Sequence, residues 1–538
     1  MEKNGLLAIV LCFLIFILWY RLFQPTEVPN QNTTQQESVV QNEAPQSHLA
    51  EKSEKPGFFE KVFVKKEIKN TLTIENNFYE ALLDKESGGV ISWKLKKYLD
   101  SNKKPYELIK QEGITPETIT LGSTFTSEKG TKLLFPYKLT QQEANTLLFV
   151  YEDGDLKVEK KYEIDPKTYQ IKVKILFEAK RDVGSGTLNF YITDRFLEGQ
   201  KGSFFSPQGN VQRVLFANSE SGLHTENLES IQEGKDLTEK LNAKVLWVGT
   251  DEQYFISTLV HQYEENGEAR YRFGLPKVWI GIENGIIKSY LKYPIQEKKT
   301  LFGFSLFKGP KEMDLLGSVS STLANSIDYG WFRFIAMPLL WVLKKLYNLF
   351  QNYGLAIILL TILVKLVLYP LTHTSFKSMR EMQRIQPQMK KIREKYKDDK
   401  ERLNKEIMQL MKSNKVNPMG GCLPMLLQMP VFIALYRVFG SSIELRGAPF
   451  IFWIQDLSMK DPYFITPILT GIVMFIQQKS TPTMGDPAQA KMMMMTPLIF
   501  SVILFWLPSG LTLYILCNTV LTFLQQYLIN KKLPVHTA

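Results

Sequence analysis

The sequence contains few of the residues that build metal sites or disulfide bonds. Only three cysteines and five histidines occur among 538 residues, and Cys12, Cys422 and Cys517 all fall in apolar stretches. No Cys/His spacing typical of a metal site is present, and residues 58–325 contain no cysteine. A disulfide scaffold is therefore excluded, and the sequence predicts neither a metal nor another cofactor.

Motifs that accompany common enzymatic reactions are also missing. The sequence has no Walker loop, no zinc-protease helix motif, no Gly-rich dinucleotide turn and no nucleophile elbow. A Ser–Lys hydrolytic pair would need a serine close to Lys365, but Ser375 lies ten residues further along, about 15 Å away on a helix. The sequence therefore predicts a protein that is not an enzyme.

Charge is absent from long parts of the chain, although the average composition is ordinary. Lys and Arg total 65 against 54 Asp and Glu, a formal net charge of +11. Residues 5–20, 419–436 and 511–530 carry no charged side chain, whereas residues 60–325 are dense in Lys and Glu. This distribution predicts a membrane protein with a large water-soluble insert, and it excludes a wholly soluble enzyme and a disordered protein.

The N-terminal apolar segment predicts an uncleaved membrane anchor over residues 1–23. It ends at Trp19 and Tyr20, an aromatic pair suited to the membrane interface. The alternative is a cleaved signal peptide, but no small-residue cleavage site follows the apolar run. Residues 24–57 are rich in Gln, Asn, Ser, Glu and Pro, a composition that predicts a flexible linker.

Residues 58–325 have the pattern of a β domain. Polar and apolar side chains alternate at period two over residues 170–175, so one face of that strand is buried. Asp153 and Gly154 form a turn signal between two further strand-like runs. Because helical periodicity is weak throughout, the insert is predicted to be an all-β sandwich.

Residues 326–353 predict an amphipathic helix that lies in the membrane interface. Arg333, Lys344 and Lys345 interrupt a wide apolar face, and only residues 334–343 are free of charge. About ten apolar residues are too few to cross a bilayer, but they suit a helix lying on its surface. A buried core helix of the β domain is the alternative interpretation.

Five more apolar segments follow, at residues 355–372, 419–436, 463–478, 492–507 and 511–530. The intervening residues 375–415 hold 13 Lys and Arg side chains, which predicts a cytoplasmic location. Lys531 and Lys532 place the C-terminus on the same side, so we expect six spans, cytoplasmic termini and an external β domain. The predicted boundaries after the interfacial helix are 354–374 for the second transmembrane helix, 375–416 for a cytoplasmic helical hairpin, 417–533 for transmembrane helices three to six and 534–538 for the tail.

Lys365 lies in the middle of the second predicted span. A central lysine costs about 2.5–3.5 kcal/mol on insertion scales and is a functional hypothesis by default. Snorkelling and ion pairing are the alternatives, but the other predicted spans contain no Asp or Glu. We therefore expect a hydrated cavity around Lys365, lined by groups such as Thr361, Gln428 and Asn518.

The basic segment 375–415 has two apolar stripes at helical spacing, which predict a helical hairpin. One stripe includes Met379, Met382 and Ile385, and a polar break near residue 398 precedes the second. Its net charge near +7 indicates either a solvated surface or a contact with anionic lipid headgroups or ribosomal RNA. The residues predicted to contact substrate or ribosome are Met379, Arg380, Met382, Arg384, Lys390, Lys391 and Arg393.

Several local strings make a family resemblance specific. They are Tyr369-Pro370-Leu371-Thr372, Val416-Asn417-Pro418-Met419-Gly420-Gly421-Cys422, Gln428-Met429-Pro430 and Pro508-Ser509-Gly510-Leu511. With the six-span plan and the basic hairpin, residues 327–533 resemble the Oxa/Alb/YidC family of membrane protein insertases. The large outer domain is similar to that of the Gram-negative members.

The resemblance implies a polytopic α-helical protein with a periplasmic β-supersandwich. It also implies a positively charged groove, open to cytoplasm and lipid, in which Lys365 stands where the family usually has Arg. The charge is kept, but the planar fork for bidentate carboxylate binding is lost. Further groove contacts implied by the resemblance are Met429, Phe432, Tyr514 and Ile515.

A protein of this type would insert and help fold nascent proteins of the bacterial inner membrane. The implied partners are nascent membrane proteins, the Sec translocon, the ribosome and the lipid bilayer, with no small-molecule substrate. A secondary transporter or channel that uses Lys365 is the main alternative, although no internal repeat supports it. A carbohydrate-binding or scaffold role for the β domain is a third interpretation. No convergent set of residues in that domain supports it, and His224 and His261 are isolated and are expected to be structural.

Overall fold

The computed structural model describes most of the chain from residue 70 onward. The described residues are 70–100, 102–109, 119–127, 132–180, 186–195, 212–219, 222–227, 245–261, 277–283, 286–295, 298–397, 399–414, 416, 423–479 and 487–532. The predicted N-terminal anchor and linker lie outside these residues.

The described strands form three antiparallel sheets. The first sheet, in spatial order, contains β1 (Thr71–Glu75), β2 (Tyr79–Asp84), β3 (Val90–Leu99) and β4 (Pro105–Ile109). The second contains β13 (Gly222–Asn227), β12 (Arg213–Asn218), β14 (Val245–Asp251), β15 (Phe255–His261), β18 (Lys299–Pro310), β10 (Gln170–Ala179), β9 (Leu156–Ile164), β8 (Thr146–Glu152) and β7 (Lys138–Gln142). The third contains β16 (Lys277–Glu283), β17 (Ile286–Ile295), β11 (Gly186–Arg195), β5 (Gly122–Ser127) and β6 (Lys132–Leu134).

Local sequence patterns explain the strands at the centre of the second sheet. On β10 the apolar side chains Ile171, Val173 and Ile175 are fully buried, while the intervening lysines face outward. The turn between β8 and β9 is closed by the Asp153 carboxylate, which accepts hydrogen bonds of 2.8 Å from the backbone N–H groups of residues 155 and 156. The prediction of a β domain from alternation and turn signals is confirmed.

The core lies between the second and third sheets. Phe190 on β11 packs against Phe304 on β18, with ring centroids 5.0 Å apart. Phe125 on β5 stacks with Phe177 on β10 at 5.9 Å. These contacts join the two sheets face to face, as in a sandwich.

Most of the remaining described chain is helical. The helices are α1 (Met313–Val319), α2 (Arg333–Phe350), α3 (Tyr353–Lys395), α4 (Lys400–Ser413), α5 (Leu423–Ser441), α6 (Ile465–Lys479), α7 (Pro487–Leu504) and α8 (Ser509–Lys532). The start of α3 is capped by Asn352, whose side chain accepts a hydrogen bond of 2.9 Å from the N–H of Leu355. Such a cap satisfies one of the unpaired N–H groups at a helix start.

Helix α3 is longer than the sequence predicts. The predicted second span and the first arm of the hairpin form one continuous helix of 43 residues, which passes through Pro370 and Pro387. No glycine occurs between residues 355 and 395, so no residue with a strong preference for a chain reversal separates the two parts. Helix α3 ends at Lys395, and α4 begins at Lys400.

Several helices expose large apolar side chains. Leu366 and Val367 on α3 are each 68% exposed, and Leu498 on α7 is 62% exposed. In the described residues, two helices are long and apolar enough to cross a membrane, Tyr353–Lys395 and Ser509–Lys531, and the shorter segment Met494–Leu504 is also apolar. Apolar side chains turned outward in this number suit a lipid environment.

Helix α2 has the two-sided character that its sequence predicts. Ala336, Leu340 and Leu343 are buried on one face, while Phe334 and Trp341 on the other face are more than half exposed. Lys344 pairs with Glu444 at 2.9 Å, which fixes the buried face of α2 against the chain that follows α5.

Candidate functional site

Lys365 meets a polar face of α8. Its Nζ donates a hydrogen bond of 2.7 Å to the Thr522 hydroxyl, and that hydroxyl donates a bond of 2.6 Å to the Asn518 carbonyl oxygen. Lys365 is half-buried. Among the residues that the structure describes, no acidic side chain forms a salt bridge with it. The ammonium is therefore held by a neutral hydroxyl group and keeps an unmatched positive charge.

Polar side chains form a seam between α3 and α8. On α8, Tyr514, Asn518 and Thr522 follow one another at intervals of four residues, which places them on one side of the helix. Seven residues beyond Lys365 on α3, the hydroxyl of Thr372 accepts a hydrogen bond of 2.8 Å from the Gln525 amide. The seam is thus polar in a region whose outer surface is apolar.

Helix α5 joins the same site through Gln428. The Gln428 side-chain amide donates a hydrogen bond to the hydroxyl of Tyr514, a residue that is only 1% exposed. The predicted contacts Met429 and Phe432, one and four residues after Gln428, are half-buried. The structure therefore brings together residues from three separate helices that the sequence places more than 60 positions apart.

Two of the predicted lining residues have mainly internal contacts. Thr361 is 1% exposed, and its hydroxyl donates a hydrogen bond of 2.7 Å to the Ile357 carbonyl of its own helix. Ile515, the residue after Tyr514, is 5% exposed. Both lie near the polar seam, but they present little surface to an incoming segment, whereas Asn518 is half-buried.

The basic hairpin has an apolar core of its own. Met382, Ile385 and Met389 on α3 are buried, and they pack with Ile407 and Leu410 on α4. The sequence predicts Met382 as a contact residue, whereas the structure leaves it 4% exposed. The reason is that the apolar stripe of α3 already has a partner stripe on α4.

The charged side chains of the hairpin lie largely outside that core. Arg384, Lys390 and Lys391 are exposed, and Arg380 and Arg393 are half-buried. Met379 is half-buried as well. The available surface of this segment is therefore predominantly basic.

The β domain contains a buried charged network that the sequence does not reveal. Lys308 donates to Asp194 at 2.7 Å and to the Ser257 hydroxyl at 2.8 Å. Nearby, Asp251 accepts hydrogen bonds from Arg213 and, at 2.8 Å, from Lys311. Burial lowers the pKa of Lys311 although the Asp251 carboxylate opposes this effect.

This network balances its own charges. The adjoining cavity is lined in part by Asp194, Thr250 and Glu252 and measures about 10 Å³, the space of a single water molecule. Burial raises the pKa of Glu252. Side chains from β11, β14, β15 and β18 meet here. Because the charged groups pair with one another, we interpret the network as structural.

The two histidines of the β domain have structural neighbours. His261 is buried, and its Nδ1 lies 2.8 Å from the Tyr293 hydroxyl. Burial lowers the pKa of His261 to about 4. His224 stacks on Phe216 with centroids 4.9 Å apart. Within the described residues, no group of three or more His, Cys, Asp or Glu side chains could hold a metal ion.

Comparison with known proteins covers nearly the whole chain. The family model described as YidC periplasmic domain matches residues 71–342, and the model described as 60Kd inner membrane protein matches residues 345–536. The membrane protein insertase YidC of Geobacter metallireducens is 37% identical over 100% of both chains. That of Syntrophus aciditrophicus is 35% identical over 99% of this chain and 100% of the relative.

Solved structures of similar proteins include an active YidC insertase with its first transmembrane domain resolved. It is 19% identical, with a TM-score of 0.38, over 86% of this chain and 93% of the other. YidC from Thermotoga maritima is 15% identical, with a TM-score of 0.32, over 86% and 98% of the two chains. The assignment depends on the family models and the full-length relatives: the chain belongs to the YidC family of membrane protein insertases.

Proposed function

We propose that this chain inserts and helps fold nascent membrane proteins by means of a hydrated, positively charged groove centred on Lys365. Family membership gives the activity, since members are insertases and not enzymes, and it gives a bacterial inner-membrane protein with a periplasmic domain. The groove and its residues are the part that we propose. The observation that carries it is the Lys365–Thr522 contact, in which a half-buried cation has a neutral partner and, within the described part of the chain, no acidic one.

The proposed topology has six membrane-spanning helices. They are a helix within residues 1–23, the first half of α3, and α5 to α8. Charge supports this arrangement, because the 13 Lys and Arg of residues 375–415 and the two lysines near the C-terminus favour the cytoplasm. The hairpin formed by α4 and the second half of α3 is then cytoplasmic, and both termini lie on that side.

Lys365 would act by exchanging one hydrogen-bond partner for another. A carboxylate or a polar flank of a nascent segment can replace the Thr522 hydroxyl at Nζ. Charge-assisted hydrogen bonds are roughly twice as strong as those between neutral groups, so an acidic flank gains most from this exchange. The exchange lowers the cost of bringing polar groups to the middle of the bilayer.

The remaining seam residues would serve the rest of the segment. Gln428 and Tyr514 now satisfy each other, and on separation they would offer hydrogen bonds to the unpaired backbone of an entering chain. Met429 and Phe432 would contact its apolar side chains, since the flexible Met side chain adapts to varied partners. Burial of about 20 apolar residues in lipid then supplies the driving force.

The hairpin would meet nascent chains first. Arg384, Lys390 and Lys391 are exposed, so they can reach ribosomal RNA or anionic headgroups through long-range attraction. Cooperation with the Sec translocon is part of the proposal and is supported by the family resemblance alone. Because Met382 is buried, we assign it to the packing of the hairpin.

The test is insertion of a short single-span protein into liposomes that contain only the purified chain. Protease protection without ATP is the expected result. Lys365→Glu should impair insertion of substrates with acidic tails, while Lys172→Glu, at an exposed β10 position, is the matched control. Normal insertion by Lys365→Glu would disprove the electrostatic role, and solute flux without protection would favour the transporter instead.

A further inference from the structure

Arg446 lies in a pocket of aromatic rings. It belongs to the connection between α5 and α6 (residues 442–464), whereas the rings belong to the β domain. Its guanidinium carbon is 4.3 Å from the ring centre of Tyr106, 4.7 Å from that of Phe255 and 5.6 Å from that of Tyr254. One guanidinium nitrogen also donates a hydrogen bond of 3.2 Å to the Leu99 carbonyl. All three distances are within the range of a cation–π interaction.

The aromatic pocket is held in place by its own contacts. Tyr106 stacks on Phe255 with ring centres 4.5 Å apart, and Phe255 is only 2% exposed. The Tyr106 hydroxyl donates a hydrogen bond of 3.0 Å to Glu252. Since the rings are fixed by these neighbours, little side-chain entropy is lost when the guanidinium binds between them.

Neighbouring side chains of the β domain also contact the helices and their connection. Gln253, next to the pocket, donates a hydrogen bond of 2.8 Å to the Gly440 carbonyl at the end of α5. The Tyr254 hydroxyl forms a hydrogen bond with Ser458 of the connection. Arg446 adds contacts with three aromatic rings and a backbone carbonyl of the β domain.

The same connection holds the start of α8. The backbone N–H groups of Ser509 and Gly510 donate to the carbonyls of Met459 and Leu457, at 2.7 and 2.9 Å. A Cβ atom at Gly510 would lie 3.1 Å from the Leu457 carbonyl oxygen, so glycine permits this close approach. Residue 457 is in turn bonded to Ala448, two residues after Arg446.

The connection also reaches the start of α3. The Asn352 side chain, which caps α3, donates a hydrogen bond of 3.2 Å to the Phe450 carbonyl. Helices α3 and α8 carry Lys365 and Thr522, respectively. A single stretch of backbone beside Arg446 thus sets the starting points of both helices that build the proposed groove.

We propose that Arg446 is a positioning residue, whose guanidinium seats the α5–α6 connection in the β domain and so fixes the relative position of α3 and α8. This inference deepens the proposed function. The effect of Arg446 on the groove between α3 and α8 rests on that proposed function, whereas its contact with the aromatic pocket does not. The β domain then acts as a rigid support for the groove. A lysine would keep the charge but lose the planar group that stacks on aromatic rings.

The first test measures how firmly Arg446 holds the α5–α6 connection against the β domain. Spin labels at exposed positions 172 and 459, in a full chain whose three cysteines are replaced, report the distance between the β domain and the connection. We expect a narrow distribution for the parent chain, a clearly broader one for Arg446→Met and an intermediate one for Arg446→Lys. Lys97→Met is the matched control, because Lys97 is an exposed cation near Tyr98, 5.9 Å from its ring centre.

Tyr106→Leu removes the cation–π contact from the side of the β domain. It is a second variant in case the arginine variants fail to fold. It should broaden the distribution as Arg446→Met does, and the double variant should add little. An unchanged distribution in Arg446→Met and Tyr106→Leu would overturn the proposal. This measurement needs no insertion activity, so it stands even if the proposed groove is wrong.

The second test links the seat to insertion. Arg446→Met should lower insertion about threefold to tenfold, the effect of losing a partly buried cation–π contact. It should do so equally for acidic and neutral tails, whereas Lys365→Glu discriminates between them. Arg446→Lys should restore part of the loss. A broadened distance distribution with normal insertion of both substrates would overturn the link to α3 and α8.

Discussion

Lys365 and Thr522 are 157 positions apart in the sequence and are joined by a hydrogen bond of 2.7 Å. The lysine comes from α3 and the threonine from α8, so the contact defines where the two helices meet. The threonine hydroxyl accepts from the ammonium and donates to its own helix backbone. It is a weak, replaceable partner for a full positive charge, and this fact generates the first two predictions.

Removal of the threonine hydroxyl should leave Lys365 more available to a substrate. For Thr522→Val we expect a loss of stability of about 1–2 kcal/mol, the cost of an unmade hydrogen bond at a partly buried group. We also expect half-saturation by an acidic-tailed substrate at a severalfold lower concentration. Titrated insertion into liposomes and denaturant unfolding measure the two effects.

Thr519→Val is the control for that prediction. Thr519 lies on the same helix, is buried, and donates a hydrogen bond of 2.7 Å to the Ile515 carbonyl. It should lose stability without a change in the concentration that gives half-saturation. If both valine variants shift that concentration alike, the hydroxyl of Thr522 is not the partner that a substrate replaces.

Replacement of Lys365 by arginine should preserve insertion. The guanidinium keeps the charge and adds a fork that binds carboxylates with two hydrogen bonds. We expect Lys365→Arg to insert acidic-tailed substrates at least as well as the parent chain, and Lys365→Met to lose about tenfold. Protease protection with matched acidic and neutral tails is the measurement. Equal loss for both tails in Lys365→Met would indicate a packing defect.

In the hairpin, the buried apolar residues should determine folding, and the exposed basic residues should determine binding. Ile385 is 1% exposed and packs against α4, so Ile385→Ala should cost about 2–5 kcal/mol and open the hairpin to protease. Lys391→Ala, at an exposed position, should leave protease resistance intact and weaken binding to ribosomes. The contrary pattern, with Lys391→Ala opening the hairpin, would contradict this division.

The β domain should lose stability in acid because of His261. Burial lowers its pKa to about 4 from an ordinary value of 6.5. Between these pH values the unfolded chain binds a proton at His261 that the folded chain does not. The contribution of neutral His261 to stability is therefore complete above pH 6.5 and is lost as the pH falls toward 4. The loss is at most about 3 kcal/mol.

Unfolding of the full chain from pH 7 to pH 4 measures that effect. His261→Gln keeps a hydrogen-bonding side chain near Tyr293 without a titrating ring, and it should flatten the pH dependence. His224→Gln, at a half-buried position, is the control and should retain the parent slope. A parent-like slope in His261→Gln would assign the acid sensitivity to other groups.

Local patterns in the sequence were sufficient to predict part of this molecule. Alternation predicts β10, turn chemistry predicts the β8–β9 hairpin, and one charge within an apolar run identifies Lys365 as unusual. The network of Asp194 and Lys308 joins residues 114 positions apart, and Arg446 reaches a carbonyl 347 positions away. Such contacts depend on how sheets and helices meet, and no local period or motif encodes that geometry.

Lys160 should give the β domain a second rise in stability with pH, in the alkaline range. Its side chain is fully buried, and burial lowers its pKa to about 7 from 10.5. Between pH 7 and 10.5 the unfolded chain holds the extra proton, so stability rises with pH across that window. The Leu121 carbonyl accepts a hydrogen bond of 2.5 Å from the ammonium, and Tyr162 offers its ring face at 5.4 Å, so the buried charge is only partly compensated.

Lys160→Met tests this dependence, with Lys161→Met as the matched control on the opposite face of β9. Replacement of a buried charge by an apolar side chain of similar volume is often neutral or stabilising by about 1–4 kcal/mol. We expect Lys160→Met to be stabilised most at pH 7 and to lose the rise in stability between pH 7 and 10. Lys161 is 48% exposed and pairs with Glu163 at the surface, so its variant should retain that rise. If the rise survives in Lys160→Met, the ammonium of Lys160 is not its source.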